Sequence, residues 1–148
     1  MKKHSKILAL ALMLSLVFAL ASCALFAKEE AEPGETEKLW ESAIYKEDTT
    51  LGEGEKTVTL VVTALEKSVT LTLKTNADNL GDAILELGVA TGDDSAYGLY
   101  VKSVNGIRAD YDLDKAYWSL KQDGAALPYG VSDAAIEGNE VYELAYEK

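Results

Sequence analysis

Between Thr57 and Ala64 the chain alternates: Val58, Leu60, Val62 and Ala64 fall on one side and mostly threonines on the other. A period of two residues marks a strand with one buried face. Ser68 to Lys74 repeats the pattern, with Val69, Leu71 and Leu73 together, and a tight turn through Glu66-Lys67 predicts that the two segments pair as a hairpin. The period then changes. Leu80, Ala83, Ile84 and Leu87 stand at i, i+3, i+4 and i+7, one stripe of a short helix, with Gly88 placed to end it.

Further along, a Gly-Asp-Asp turn at 92 to 94 precedes a strand from Tyr97 to Val104. Asn105-Gly106 is a strong signal for a type I′ hairpin turn leading into Ile107 to Tyr111. Tyr117 to Lys121 reads as another strand followed by a turn at Asp123-Gly124, and Val141 to Tyr146 alternates as the last. Two strands, one helix and about four more strands predict an α+β domain, its mixed or antiparallel sheet covered on one face by the helix.

The first residues follow none of these periods. Lys2, Lys3 and Lys6 precede a nearly unbroken apolar run from Ile7 to Leu20, the layout of an export signal. That run is about 14 residues, short of the roughly 20 that span a bilayer. Leu20-Ala21-Ser22-Cys23 resembles the lipobox of bacterial lipoproteins, so residues 1–22 are expected to be a signal peptide and Cys23 the lipidated first residue of the mature chain. Acyl chains contribute about 0.8 kcal/mol per buried methylene, so two or three would hold the protein on the extracytoplasmic face of the bacterial membrane. Residues 23–37 are acidic with little to bury and read as a lipidated flexible linker. Large apolar side chains return at Leu39, Trp40, Ile44 and Tyr45, and residues 38–148 are expected to be the folded domain.

Charge narrows the function. Residues 1–22 hold three of the 14 basic side chains and no acids, so 11 basic side chains stand against 25 acidic ones in the mature chain. A surface of that sign argues against nucleic acid as a partner. The single histidine, His4, lies in the expected signal, and the single cysteine, Cys23, is expected to be blocked by lipid. Without imidazole or thiolate, the usual nucleophilic schemes and zinc sites have no residues to build on, so neither catalysis, a resident cofactor nor a metal site is expected.

Two acidic constellations stand out. Asp110, Asp112 and Asp114 alternate like the opening of a calcium loop, but Lys115 stands where such a loop needs glycine and Lys121 where it needs glutamate. A solvated acidic turn is the expectation there, and Asp93-Asp94 reads as a turn as well. Aromatic residues make a better binding candidate. Tyr117, Trp118, Tyr129, Gly130 and Val131 combine aromatic surface with a backbone that glycine leaves accessible. The alternative is that Trp118 and Leu120 are core and that Gly130 only makes a turn.

The run Tyr-Gly-Leu-Tyr-Val-Lys-Ser-Val-Asn-Gly-Ile at 97–107, Ala109-Asp110-Tyr111, Tyr117-Trp118, Leu127, Gly130-Val131 and Tyr142-Glu143-Leu144 together resemble a family of bacterial surface domains. That family is named for its likeness to the C-terminal domain of transcobalamin and intrinsic factor, the animal vitamin B12 carriers. Leu39-Trp40, Tyr45, Asp48 to Gly52 and Gly54 resemble its lead-in, so the likeness spans residues 39–148. The resemblance implies a β-grasp-like fold and a face that binds cobalamin or another corrinoid, with Trp118 and Gly130-Val131 matching the carriers' ligand-facing strand and loop. Two readings stay open: a membrane-anchored module that captures a corrinoid or other small ligand, alone or with a surface or transport protein, and a surface interaction or spacer domain without one.

Overall fold

The computed structural model describes residues 33–148. The signal peptide, Cys23 and most of the linker lie outside the described residues. The first helix, α1, runs Glu35–Trp40, so Glu35 and Glu37, read from the sequence as linker, are helical. Its end is held by Trp40, which is buried and donates its indole N–H to the Ala64 carbonyl at 2.9 Å.

Most of the fold is sheet. Strands β1 (Thr49–Gly52), β2 (Lys56–Ala64) and β3 (Lys67–Thr75) join β7 (Tyr117–Gln122), β8 (Ala125–Ala126) and β9 (Val141–Glu147) in six strands ordered β1-β3-β2-β9-β7-β8. The sheet is mixed. β1 lies parallel to β3 and β2 parallel to β9, whereas β2–β3, β7–β9 and β7–β8 are antiparallel. The inward row of β2, Val58, Leu60, Val62 and Ala64, is fully buried, and Val69, Leu71 and Leu73 of β3 extend the same core. Alternation thus places the apolar residues of the hairpin on one face, as its period requires. The hairpin turn sits at Leu65–Glu66, one residue earlier than expected, because Ala64 pairs with Lys67 and Leu65 takes a positive φ of 55°.

Helix α2 (Leu80–Glu86) packs Leu80, Ala83 and Ile84 into this core. The Asn79 side chain caps its start, accepting from the Asp82 N–H at 2.9 Å, and Gly88, at φ +68°, follows its end. A second sheet of three strands orders β4 (Ala90–Ser95), β5 (Gly98–Val104) and β6 (Ile107–Arg108). Here the structure corrects the sequence reading. Asp93 and Asp94 are in a strand, paired with Tyr100 and Leu99, and the chain reverses at Ala96–Tyr97 instead. Lys102 offsets part of the acidic charge, its ammonium 2.8 Å from the Asp93 carboxylate.

The strand expected over Ile107 to Tyr111 stops at Arg108, because the Asp110 carboxylate accepts from the Asp112 and Leu113 amides and starts a one-turn helix, α3 (Tyr111–Asp114). Local capping wins over strand extension there. One helix was expected; the described residues hold three and a 3₁₀ turn at Val131–Asp133. The class is nonetheless α+β, with mixed and antiparallel sheets in place of one sheet.

Candidate ligand-binding site

The five aromatic and loop residues singled out from the sequence come from two segments. Tyr117 and Trp118 open β7, where burial alternates: Trp118 and Leu120 are buried, Tyr117 and Ser119 less so. Tyr129, Gly130 and Val131 close the loop after β8 and lead into the 3₁₀ turn. That turn is anchored at its middle residue and just past its end. The Leu80 N–H donates to the Ala134 carbonyl at 2.8 Å, and the Leu99 N–H donates to Ser132 Oγ at 2.9 Å. Val131 is buried, and Tyr142 donates its hydroxyl to the Ala135 carbonyl at 2.8 Å, which fixes the descent of the loop toward β9.

The fold brings all five residues to one pocket of about 290 Å³, with Leu99, Tyr100 and Val101 of β5 on another wall. Ser119, Leu120, Leu127 and Leu144 complete the lining. No lysine, arginine, aspartate or glutamate lines it. In a chain where 26% of residues are charged, that lining sets the pocket apart from the rest of the surface. Tyr117 and Tyr129 stand at the rim, 44% and 41% exposed, and Tyr100 is similarly open. Trp118 is 8% exposed, so it belongs to the core, as the alternative reading of this residue expected, and it also lines the pocket.

Its Nε1 is the one buried side-chain nitrogen or oxygen among the described residues with no hydrogen-bond partner. Leaving a buried donor unmatched costs about 1–3 kcal/mol, so such atoms are few in native folds and often mark function. Trp40 makes the contrast: its equally buried indole has the Ala64 carbonyl.

A Cβ at Gly130 would meet nothing within 4 Å, so glycine leaves free space beside its backbone at the pocket. Tyr100, Leu99 and Val101 were not among the sequence candidates, although they lie in the Tyr-Gly-Leu-Tyr-Val run that carries the family resemblance. Only the packing of β5 near β7 places them at the pocket.

A larger cleft of about 490 Å³ lies between α1 and the β2–β3 turn, lined by Glu37, Trp40, Glu41, Lys46, Lys67, Ser68 and Val69. Size favours it and chemistry does not. Its carboxylates and ammonium groups are of equal number, Glu37 and Lys67 approach within 3.6 Å of each other, and the polar atom of its one aromatic residue is already bonded. Two of the three aspartates of the 110–114 segment, Asp110 and Asp114, are likewise engaged through their carboxylates. Arg108 holds Asp114 through two bonds of 2.8 and 2.7 Å, and Lys102 lies 3.5 Å from Asp110. Hydrogen bonds from the Arg108 guanidinium, then from the Asp110 amide, pull the Asp114 carboxyl down to about 2. Among the described residues no group of His, Cys, Asp and Glu has the arrangement to hold a metal ion.

No known family profile matches the chain, and no curated protein sequence does. Solved structures do match. The fold is similar to that of a candidate metal-binding protein from Ruminococcus gnavus ATCC 29149, with a TM-score of 0.58 and 21% identity, over 64% of this chain and 98% of that one. It is also similar to haptocorrin, solved in complex with Cbi, with a TM-score of 0.52 and 19% identity, over 63% of this chain and 25% of haptocorrin. At these identities the likeness is one of fold, and a transcobalamin-like fold agrees with it.

Proposed function

We propose that this chain is an extracytoplasmic binding module, tethered to the bacterial membrane through lipid on Cys23, that takes a neutral ligand at the pocket of Tyr117, Trp118, Tyr129, Gly130 and Val131, and that this ligand is a corrinoid. The observation that carries the reading is the pocket itself: aromatic walls, no ionised side chain and a tryptophan whose buried N–H has no partner. Aromatic surface and backbone groups hold a flat macrocycle without charge. The likeness to haptocorrin, a protein solved with Cbi bound, supports the choice of ligand, and it also supports a β-grasp-like description of the fold. No catalytic role is part of this reading. The tether would keep the module where extracellular ligands arrive, with the acidic linker as spacer.

The test is titration of the whole chain, held in detergent, with cobalamin and with cobinamide, followed by calorimetry and tryptophan fluorescence. Saturable heat with quenching that Tyr129→Ala weakens is the expected result. Neither heat nor quenching at millimolar ligand would sink the corrinoid assignment.

A further inference from the structure

Most of the pocket wall comes from three segments, and the larger sheet places only one of them. Tyr117 to Leu120 belong to β7, which pairs with β9 from Tyr117 to Lys121. Leu99, Tyr100 and Val101 belong to β5 in the smaller sheet, and Tyr129, Gly130 and Val131 to the loop after β8. Among the described residues no strand pairing joins the two sheets. The spacing between the loop and β5 is therefore set by side-chain contacts.

Ser132 makes that contact. It follows Val131 directly, does not itself line the pocket, and accepts the Leu99 N–H on its Oγ at 2.9 Å. Among the described residues this is the one hydrogen bond between β5 and residues 127–134. The approach is closer than an ordinary residue permits. A Cβ at Gly98 would stand 2.6 Å from both Cβ and Oγ of Ser132, where carbon atoms pack at about 3.5–4.0 Å, and Gly98 takes a φ of +93°. From the other side, a Cβ at Gly81 of α2 would lie 3.1 Å from Ser132 Oγ. Ser132 is thus seated between glycines of two different elements. Just beyond it, the Leu80 N–H bonds the Ala134 carbonyl and Ala135 bridges to Asn79, which holds the end of the loop to the start of α2.

We infer that Ser132 is the positioning residue of this pocket: held between Gly98 and Gly81, it sets the distance from the loop wall of Tyr129, Gly130 and Val131 to the β5 wall of Leu99, Tyr100 and Val101, and with it the fit to the ligand. Serine suits the place because it is small and carries an acceptor on the first atom beyond Cβ. Without the hydroxyl the Leu99 N–H loses its acceptor and the two walls lose their bond, while the ladders of both sheets and the packing of α2 remain. The pocket then keeps its residues and loses its spacing, on which close contact with a ligand depends. The inference rests on the reading of this pocket as the ligand site, and it adds a residue that acts on the ligand only through the walls.

The test uses the whole chain in detergent, labelled with nitrogen-15, beside its Ser132→Ala and Ser132→Thr variants. Expected for Ser132→Ala is a folded chain whose Leu99 amide exchanges about tenfold faster, whose Trp118 indole N–H signal shifts while that of Trp40 stays, and which binds cobinamide about tenfold more weakly. Ser132→Thr keeps the acceptor and should restore the Leu99 protection and most of the affinity. A residue that served folding alone would lower the melting temperature and leave the affinity of the folded chain unchanged. Parent affinity in a folded Ser132→Ala chain, or both indole signals moving together, would overturn the inference. Should the alanine variant fail to fold, the parent chain decides: a Leu99 amide protected from exchange and slowed further by cobinamide supports the role, and one that is unprotected or indifferent to cobinamide removes it. Should the parent take up no cobinamide, the corrinoid assignment falls by itself, and the Leu99 and Trp118 signals of the variants decide the role of Ser132.

Discussion

Trp118 meets Tyr146 edge to face, their ring centroids 5.8 Å apart and their planes at 79°, so the tryptophan at the pocket is braced by a residue of the last strand. Aromatic pairs in this geometry contribute about 0.5–1.5 kcal/mol beyond the area they bury. The same ring carries the unmatched Nε1–H. Packing therefore holds Trp118 in place while its polar atom adds nothing to the fold, and the two contributions can be separated by substitution.

Trp118→Phe keeps an aromatic ring and deletes the unmatched donor, so its cost should be small, about 1 kcal/mol or less. Trp118→Ala also deletes the packing and should cost about 3–5 kcal/mol. Urea unfolding of the two variants measures the difference. A Phe variant as unstable as the Ala variant would mean that the indole N–H is bonded in solution.

At the rim, Tyr129→Ala and Tyr117→Ala remove side chains more than 40% exposed, and each should leave stability within about 0.5 kcal/mol of the parent. Ligand uptake should fall in both. Gly130→Ala tests the backbone approach, since its added methyl meets no protein atom within 4 Å. A thermal melt checks that folding is kept, and calorimetry reads the loss.

Asn105 is fully buried and clamps a distant segment: its side chain accepts from the Tyr45 N–H at 2.7 Å and donates to the Tyr45 carbonyl at 2.8 Å. It also takes a φ of 52°, with Gly106 at 77° completing the hairpin turn. Asn105→Ala loses both bonds and strains the turn, and should cost about 3 kcal/mol or more. Asn105→Gly restores the backbone but not the bonds, so it should recover about 1 kcal/mol of that. Denaturant midpoints of the two variants check the order.

Asp114 makes stability depend on acid. Its folded pKa of about 2 lies below the roughly 3.9 of a free aspartate, so the unfolded chain binds more protons there. Its contribution is full above about pH 4 and is lost as pH falls toward about 2. Asp114→Asn should flatten that limb of the stability curve, and a carboxyl titration by NMR gives the pKa directly. A value near 4 in the folded protein would show that the Arg108 pair is absent in solution.

Metabolic labelling with a fatty acid tests the tether. Label should enter the chain and be absent from Cys23→Ala, with the variant released from membranes. Label in the variant would place the anchor elsewhere.

How far the residues alone carry the fold depends on the range of the interaction. The β2–β3 hairpin and the α2 stripe were legible because one buried face imposes its period on the local sequence, as Val58 to Ala64 and Leu80 to Ile84 show. Asn105-Gly106 was legible because a positive φ is a local demand. Asp93-Asp94 misled because acidic residues favour turns on their own, while pairing with Tyr100 and Leu99 overrides that preference. α3 was missed because Asp110 caps it through its own side chain, a contact that does not show as hydrophobic period.

The chemistry of the candidate site was present in the aromatic and glycine residues of 117–118 and 129–131, but its shape was not. Pairing across the sheets placed β5 near β7, and the pairings of the larger sheet join residues far apart in sequence, Tyr117 with Glu147 and Thr59 with Val141 among them. Local periodicity reports which side of a strand is buried; which neighbour it meets, and where a neighbour is missing, is a property of the assembled chain.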